Sequence, residues 1–216
     1  MPTRSVTLTR ALFIIGLIAA ILFIAEIGHE SMGLRVILKS TPLLSLIAWV
    51  LMTVRDRYAL LIVIGLIFSL AGDILLEISD DLFVPGLIAF LLGHVWYIAA
   101  FLSVTRQARW WRALPFIVWV GLAYLILLPN LKGMAMPVAA YVVIIGAMMW
   151  RASATADSPI LRWQWLALIG AILFGLSDTL LALKKFNSVV IGPTFIVIVL
   201  YWLGQLGIGL STPRSQ

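Results

Sequence analysis

Two stretches of this chain each set a carboxylate inside an apolar run long enough to cross a bilayer. Ser69-Leu70-Ala71-Gly72-Asp73-Ile74-Leu75-Leu76 carries one, and Phe174-Gly175-Leu176-Ser177-Asp178-Thr179-Leu180-Leu181 carries the other. Placing a carboxylate in hydrocarbon costs about 3 kcal/mol or more. A chain that does so twice, in matching local sequence, points to a use for both groups. Paired carboxyls suit general acid–base work, with one kept neutral to give a proton and the other ionised to take one.

Helical spacing shows what accompanies each aspartate. Ser69, Asp73 and Glu77 fall at i, i+4 and i+8, a polar stripe, with Gly65 and Gly72 near enough to admit a neighbouring helix. Phe90, His94, Tyr97 and Phe101 share another face, a protonatable ring among aromatics. Tyr201 and Gln205 lie together further on. Such stripes face protein or a wet cavity, since lipid cannot satisfy them. Tyr97, Tyr141, Tyr201 and Gln205 also suit interhelical hydrogen bonding, and His94 suits packing among aromatics. Lys39, three residues before Pro42, has the reach to snorkel and meet a phosphate. Glu77, Asp80 and Asp81 read as solvated charge at a loop, as do His29 and Glu30.

The elements that carry these residues are membrane helices. Of the 216 residues, 63% are hydrophobic and 11% charged, and the mean hydropathy is +1.12. No water-soluble core of this size hides so much apolar surface. The fold expected is all-α and polytopic, one integral membrane domain over 1–216. Eight spans fit, each near the ~20 residues a bilayer requires. They fall at 8–26, 34–53, 58–78, 84–104, 112–129, 134–150, 163–183 and 189–210, separated by charge, Pro or Gly at Gly28-His29-Glu30, Arg55-Asp56-Arg57, Asp80-Asp81, Arg106 to Arg112, Pro129 to Gly133, Arg151 to Arg162 and Lys184-Lys185. The first is too long for a signal peptide and has no clean cleavage site, so it reads as a retained helix.

Lys and Arg set the orientation. Arg4, Arg10, Arg55, Arg57, Arg106, Arg109, Arg112, Arg151, Arg162 and Arg214 fall on one side. Arg35, Lys39, Lys132, Lys184 and Lys185 fall on the other. This bias places both termini in the cytoplasm, as expected of a bacterial inner-membrane protein. Trp110, Trp111, Trp163 and Trp165 then sit at cytoplasmic span ends, where an indole belt forms. The net charge of +6 is explained by these loops, and a nucleic-acid partner is not expected. The absence of cysteine and the presence of only two histidines point away from a haem, zinc or iron–sulfur centre. No cofactor or metal is expected.

Spans three and seven share the small-Asp core. Spans four and eight share Leu92-Gly93-His94 and Leu203-Gly204-Gln205, and spans two and six pair Pro42 with Arg55 and Pro137 with Arg151. Two parallel four-helix repeats, 8–104 and 112–210, are the expectation. At ~1.5 Å rise per residue, Asp73 and Asp178 each lie roughly 8–9 Å inside the outer boundary and His94 roughly 12 Å. One layer in the outer half of the bilayer holds all three.

With these residues in place, the chain resembles the YhhN-like membrane proteins, which include the lysoplasmalogenases. The resemblance is carried by Lys39-x-x-Pro42, Gly72-Asp73-x-x-Leu76, Phe90-x-x-Gly93-His94-x-x-Tyr97, Met134-x-Met136-Pro137-Val138-x-x-Tyr141, Ser177-Asp178 and Tyr201-Trp202-x-x-Gln205. It implies hydrolysis of the vinyl-ether bond of lysoplasmalogens, releasing a fatty aldehyde and a glycerophospho-ethanolamine or -choline. The partners implied are a lysophospholipid substrate and membrane lipids.

That chemistry protonates the β-carbon of an enol ether, then adds water to the resulting oxocarbenium ion. Two carboxyls in different protonation states serve the related cation in glycoside hydrolysis. Asp73 and Asp178 are the expected acid–base pair, in an order the sequence leaves open. His94 would relay protons, Tyr97 and Gln205 would position water or the glycerol, and Lys39 would contact the phosphate. Tyr141 and Tyr201 complete the substrate-binding set. A small transporter with an aspartate proton relay is the rival expectation, and a structural membrane subunit a third.

Overall fold

The structure is a computed structural model, and it describes residues 2–25, 31–53, 56–157, 159–188, 193 and 195–212. Glu26, His29, Glu30, Arg55 and Arg214 lie outside the described residues, as does the side chain of Arg4.

Eight helices follow in order: α1 (Pro2–Ala25), α2 (Met32–Thr53), α3 (Arg57–Ile78), α4 (Phe83–Val104), α5 (Leu114–Leu127), α6 (Ala135–Thr155), α7 (Arg162–Asn187) and α8 (Ile196–Leu210). Seven are long and apolar enough to cross a membrane, and α8 is a shorter apolar helix. The protein is an integral membrane protein with an all-α, polytopic fold. Ile37, Ile117, Leu125 and Val143 are more than half exposed on the outside of the bundle, as lipid-facing residues are.

The helix starts and stops have local causes. Asp56 caps α3 by accepting from the Ala59 N–H, which satisfies one orphan donor of the first turn. Ser188 closes α7 in the left-handed conformation, with φ 54°. Pro42 lies inside α2, which continues through it.

Helices α3 and α4 pack along their length, as do α7 and α8. Both crossings depend on missing side chains. A Cβ at Gly93 would lie 3.1 Å from the Gly65 carbonyl oxygen, and one at Gly204 would lie 2.9 Å from that of Gly170. Backbones approach this closely only where both faces are small. The crossings bring α3 and α8 beside α2, and α4 and α7 beside α6.

Several expectations need correction. Lys184 and Lys185 do not break span seven; α7 runs through them to Asn187, and basic residues in a last turn complement the helix dipole. Arg151 does not end span six in a solvated loop. It is 4% exposed within α6 and donates to the carbonyl oxygens of Gln107 and Thr105, beyond the end of α4. Trp110 is 72% exposed and fits an interfacial belt, whereas Trp163 is 7% exposed and packs edge-on against Tyr58.

Candidate active site

Asp73 sits on α3 with 2% of its surface exposed. Its Oδ2 accepts a hydrogen bond from the Tyr201 hydroxyl of α8 at 2.6 Å, and its Oδ1 is 3.9 Å from Nζ of Lys39 on α2. Lys39 Nζ also lies 3.1 Å from Glu77 Oε2. The other carboxylate oxygen of Glu77 accepts from Arg35 Nε at 2.7 Å and is 2.6 Å from the guanidinium's NH2 nitrogen. Arg35 and Lys39, one turn apart on α2, therefore grip Glu77, one turn above Asp73 on α3. Glu77 is not the solvated loop charge expected; it lies in the last turns of α3 as the centre of this cluster.

Asp178 on α7 is held in the same manner from the other side. The Tyr141 hydroxyl of α6 donates to its Oδ2 at 2.5 Å, and His94 Nε2 of α4 is 3.7 Å from the same oxygen. The His94 ring is fully buried, 4.6 Å from the Phe174 ring and 5.4 Å from that of Tyr141, centroid to centroid.

Both aspartates line one cavity of about 260 Å³. Lys39 and Tyr201 share its wall with Arg35, Glu77, Ser177 and Lys184, over a floor that includes Phe90. His94 and Tyr141 stand behind Asp178. Tyr141 and Asp178 also border a narrow apolar cleft of about 50 Å³ among α3 to α7. Tyr97 and Gln205 lie elsewhere: the Tyr97 hydroxyl donates to Gln205 Oε1 at 2.7 Å, and neither residue lines the cavity of the aspartates. Tyr97 lays its ring over Gly65, where a Cβ would come within 2.3 Å of it.

The residues missed in the sequence are Arg35, Glu77 and Lys184. Their signals were present. Arg35 and Lys39 are spaced i, i+4, and Glu77 extends the stripe of Ser69 and Asp73 by one turn. The arrangement supplies two tyrosine-held carboxyls, a histidine beside one of them, and three cationic side chains around the same space. It can give and take a proton within a pocket that also attracts an anion.

The sequence profile of the YhhN family matches residues 34–212. The chain belongs to the YhhN family. Helix α2 from Leu34 onward, α3 to α8 and every residue named above in the cavity wall fall within the match, and α1 lies outside it. Among curated relatives of this YhhN-family chain, the Bos taurus protein named Lysoplasmalogenase TMEM86A is 36% identical over 160 residues, 72% of this chain and 66% of its own. The Homo sapiens Lysoplasmalogenase TMEM86B is 35% identical over 183 residues, 83% of this chain and 75% of its own. A Mycobacterium tuberculosis (strain CDC 1551 / Oshkosh) protein named Lysoplasmalogenase is 33% identical over 147 residues, 64% of this chain and 53% of its own. The YhhN-family chain thus spans just under two thirds of the length of the bovine relative. No solved structure matches it at a significant level.

Proposed function

We propose that this protein is a hydrolase that cleaves the vinyl-ether bond of 1-alkenyl lysophospholipids to a fatty aldehyde and a glycerophospho-ethanolamine or -choline. The observation that carries the reading is the shared cavity of Asp73 and Asp178, rimmed by Arg35, Lys39 and Lys184. The names of the relatives support the same reaction.

The chemistry follows from the two carboxyls. One, as the neutral acid, delivers its proton to the β-carbon of the enol ether, and the α-carbon becomes an oxocarbenium centre. The other, as the carboxylate, takes a proton from a water molecule whose oxygen bonds to that carbon. The hemiacetal then collapses, the C–O bond to glycerol breaks, and aldehyde and alcohol leave. One water is consumed and no electrons are transferred. Tyr201 and Tyr141 hold the carboxyls in position, His94 returns protons to Asp178, and Lys39 with Arg35 meets the phosphate. Tyr97 and Gln205, paired with each other, act from the wall behind.

Purified protein in detergent tests the reading directly. Lysoplasmalogen should yield free aldehyde, while a diacyl phospholipid and an ester lysolipid should yield none. Absence of aldehyde at any protein concentration would overturn the proposal. A proton-coupled transporter using the same aspartates finds no support in the names of the relatives above.

We propose further that both termini face the cytoplasm of a bacterial inner membrane, which opens the cavity toward the outer leaflet. The surplus of arginine on the N-terminal side supports this. A C-terminal alkaline phosphatase fusion should be inactive and a green fluorescent fusion bright; the opposite pair of results would reverse the topology. Two parallel four-helix repeats remain the reading of the internal organisation, supported by the like offsets of Gly65 and Asp73 against Gly170 and Asp178 and by the like approach of Gly93 to the Gly65 carbonyl and of Gly204 to that of Gly170.

A further inference from the structure

A second cavity, of about 430 Å³, lies between α1, α2 and α8. It is lined almost wholly by apolar side chains, including Leu12, Ala20, Pro42 and Leu206. We propose that this cavity takes the single hydrocarbon chain of the substrate while the headgroup occupies the polar cavity. The inference rests on the hydrolase reading and adds where the lipid tail goes.

The two cavities adjoin along shared helices, and the apolar one reaches deeper. On α2 the polar cavity touches Lys39, and the apolar one begins at Pro42, one turn further from the outer end. On α8 the polar cavity touches Ile198 and Tyr201, while the apolar one touches Val199 and Trp202 on the adjoining face and extends a turn deeper to Gln205 and Leu206. Phe23 of α1 and Trp202 of α8 meet edge-to-face at 5.7 Å where the two spaces adjoin. The vinyl ether is the joint between head and tail of the lipid. A tail in the second cavity places that joint at the level of Lys39, Tyr201 and Asp73.

Size agrees with a lipid tail. Along α1 the cavity runs from Ile24 to Leu12, roughly 18 Å at ~1.5 Å per residue. One leaflet supplies about half of the ~30 Å hydrocarbon core, so the depth is that of one extended chain. The volume falls within the ~300–1,000 Å³ range of ligand sites. The cleft beside Asp178, at about 50 Å³, does not.

An independent observation points to a ligand with oxygen against the wall of this cavity. The indole N–H of Trp202 is buried and has no hydrogen-bond partner among the described residues. Buried donors are normally paired. Trp202 belongs to the cavity wall, next to Tyr201 in the chain. The ether and glycerol oxygens of a lysolipid, or water carried with them, supply acceptors there.

The consequence is that α1, outside the family match, helps set chain-length preference. Ala20→Phe places a ring about a third of the way down the cavity, and Leu12→Trp fills its floor. The readout is the ratio of kcat/KM for an octadecenyl lysoplasmalogen to that for an octenyl one, measured with the full-length protein. Ala20→Phe should lower that ratio at least tenfold, and Leu12→Trp should lower it with a cut-off at longer chains. An equal loss at every chain length, or an unchanged ratio in both variants, overturns the chain site while leaving aldehyde release by the parent protein intact. A lysophosphatidylcholine bearing a mid-chain diazirine provides a test that needs no turnover. Crosslinks on α1, α2 and α8, reduced by excess unlabelled lysolipid, are expected. Crosslinks confined to α5 and α6, or labelling that excess lysolipid does not reduce (an adventitious bilayer lipid), overturn the proposal.

Discussion

The hydroxyl of Tyr201 donates to Asp73 Oδ2 at 2.6 Å, joining α8 to α3 across 128 residues of chain. The contact fixes which way a buried carboxyl faces, and it leaves Oδ1 toward Lys39. A hydrogen bond to a charged group is worth about 1.5–3 kcal/mol. Tyr201→Phe should therefore lower kcat about 10- to 100-fold, with KM changed less, since the phenol positions a reacting group rather than binding the lipid. Steady-state kinetics on detergent-purified protein checks this split.

Asparagine at either aspartate keeps the shape of the side chain and removes its ability to give or take the proton. Asp73→Asn and Asp178→Asn should each cut aldehyde release by about a thousandfold or more, in line with loss of a general acid or base. Circular dichroism and size-exclusion elution should match the parent protein. Full activity in either variant would remove that residue from the mechanism.

Glu77 neutralises Arg35 and Lys39 at the same time. In Glu77→Gln the half-buried cluster loses the carboxylate that Arg35 and Lys39 share, while Lys39 keeps Asp73 at 3.9 Å, and removing one partner of a buried pair is costly. Because some solvent reaches the cluster, the expected loss of stability is about 1–3 kcal/mol, below the fully buried case. A lower temperature of half-unfolding in a fluorescence melt measures it. Glu77→Gln should also increase the dependence of KM on salt, because the cluster then carries one negative charge fewer beside the lipid phosphate.

The α7–α8 crossing has no space for a side chain at Gly204, where a Cβ would sit 2.8 Å from the Phe174 backbone nitrogen. Gly204→Val should sharply reduce the yield of monodisperse protein, since a neighbouring backbone cannot move aside as a side chain can. Gly133, with nothing within 4 Å of a Cβ, is the control: Gly133→Ala should elute as the parent does.

The proposed steps need only carboxyls and water. Aldehyde release should be unchanged after dialysis against EDTA, measured on the same preparation before and after treatment.

The amino-acid sequence by itself determined the eight apolar helices, because hydrocarbon demands ~20-residue apolar stretches that satisfy their own backbone. It also led to the expectation of one layer for Asp73, Asp178 and His94, because the helical rise converts residue number directly into height; the structure puts both aspartates on one cavity and His94 beside Asp178. Rotation about each helix axis and the identity of neighbours are not periodic quantities, and only tertiary packing decided them. Packing turned Glu77 from a loop charge into the partner of Arg35 and Lys39, and Arg151 from a loop residue into a buried clamp. It separated Tyr97 and Gln205 from the cavity of the aspartates and paired them with each other. It also opened the α1–α2–α8 space, whose walls read in the sequence as ordinary lipid-facing leucine, isoleucine and alanine. An apolar residue facing lipid and one facing a cavity obey the same hydrophobic preference, so composition cannot separate them.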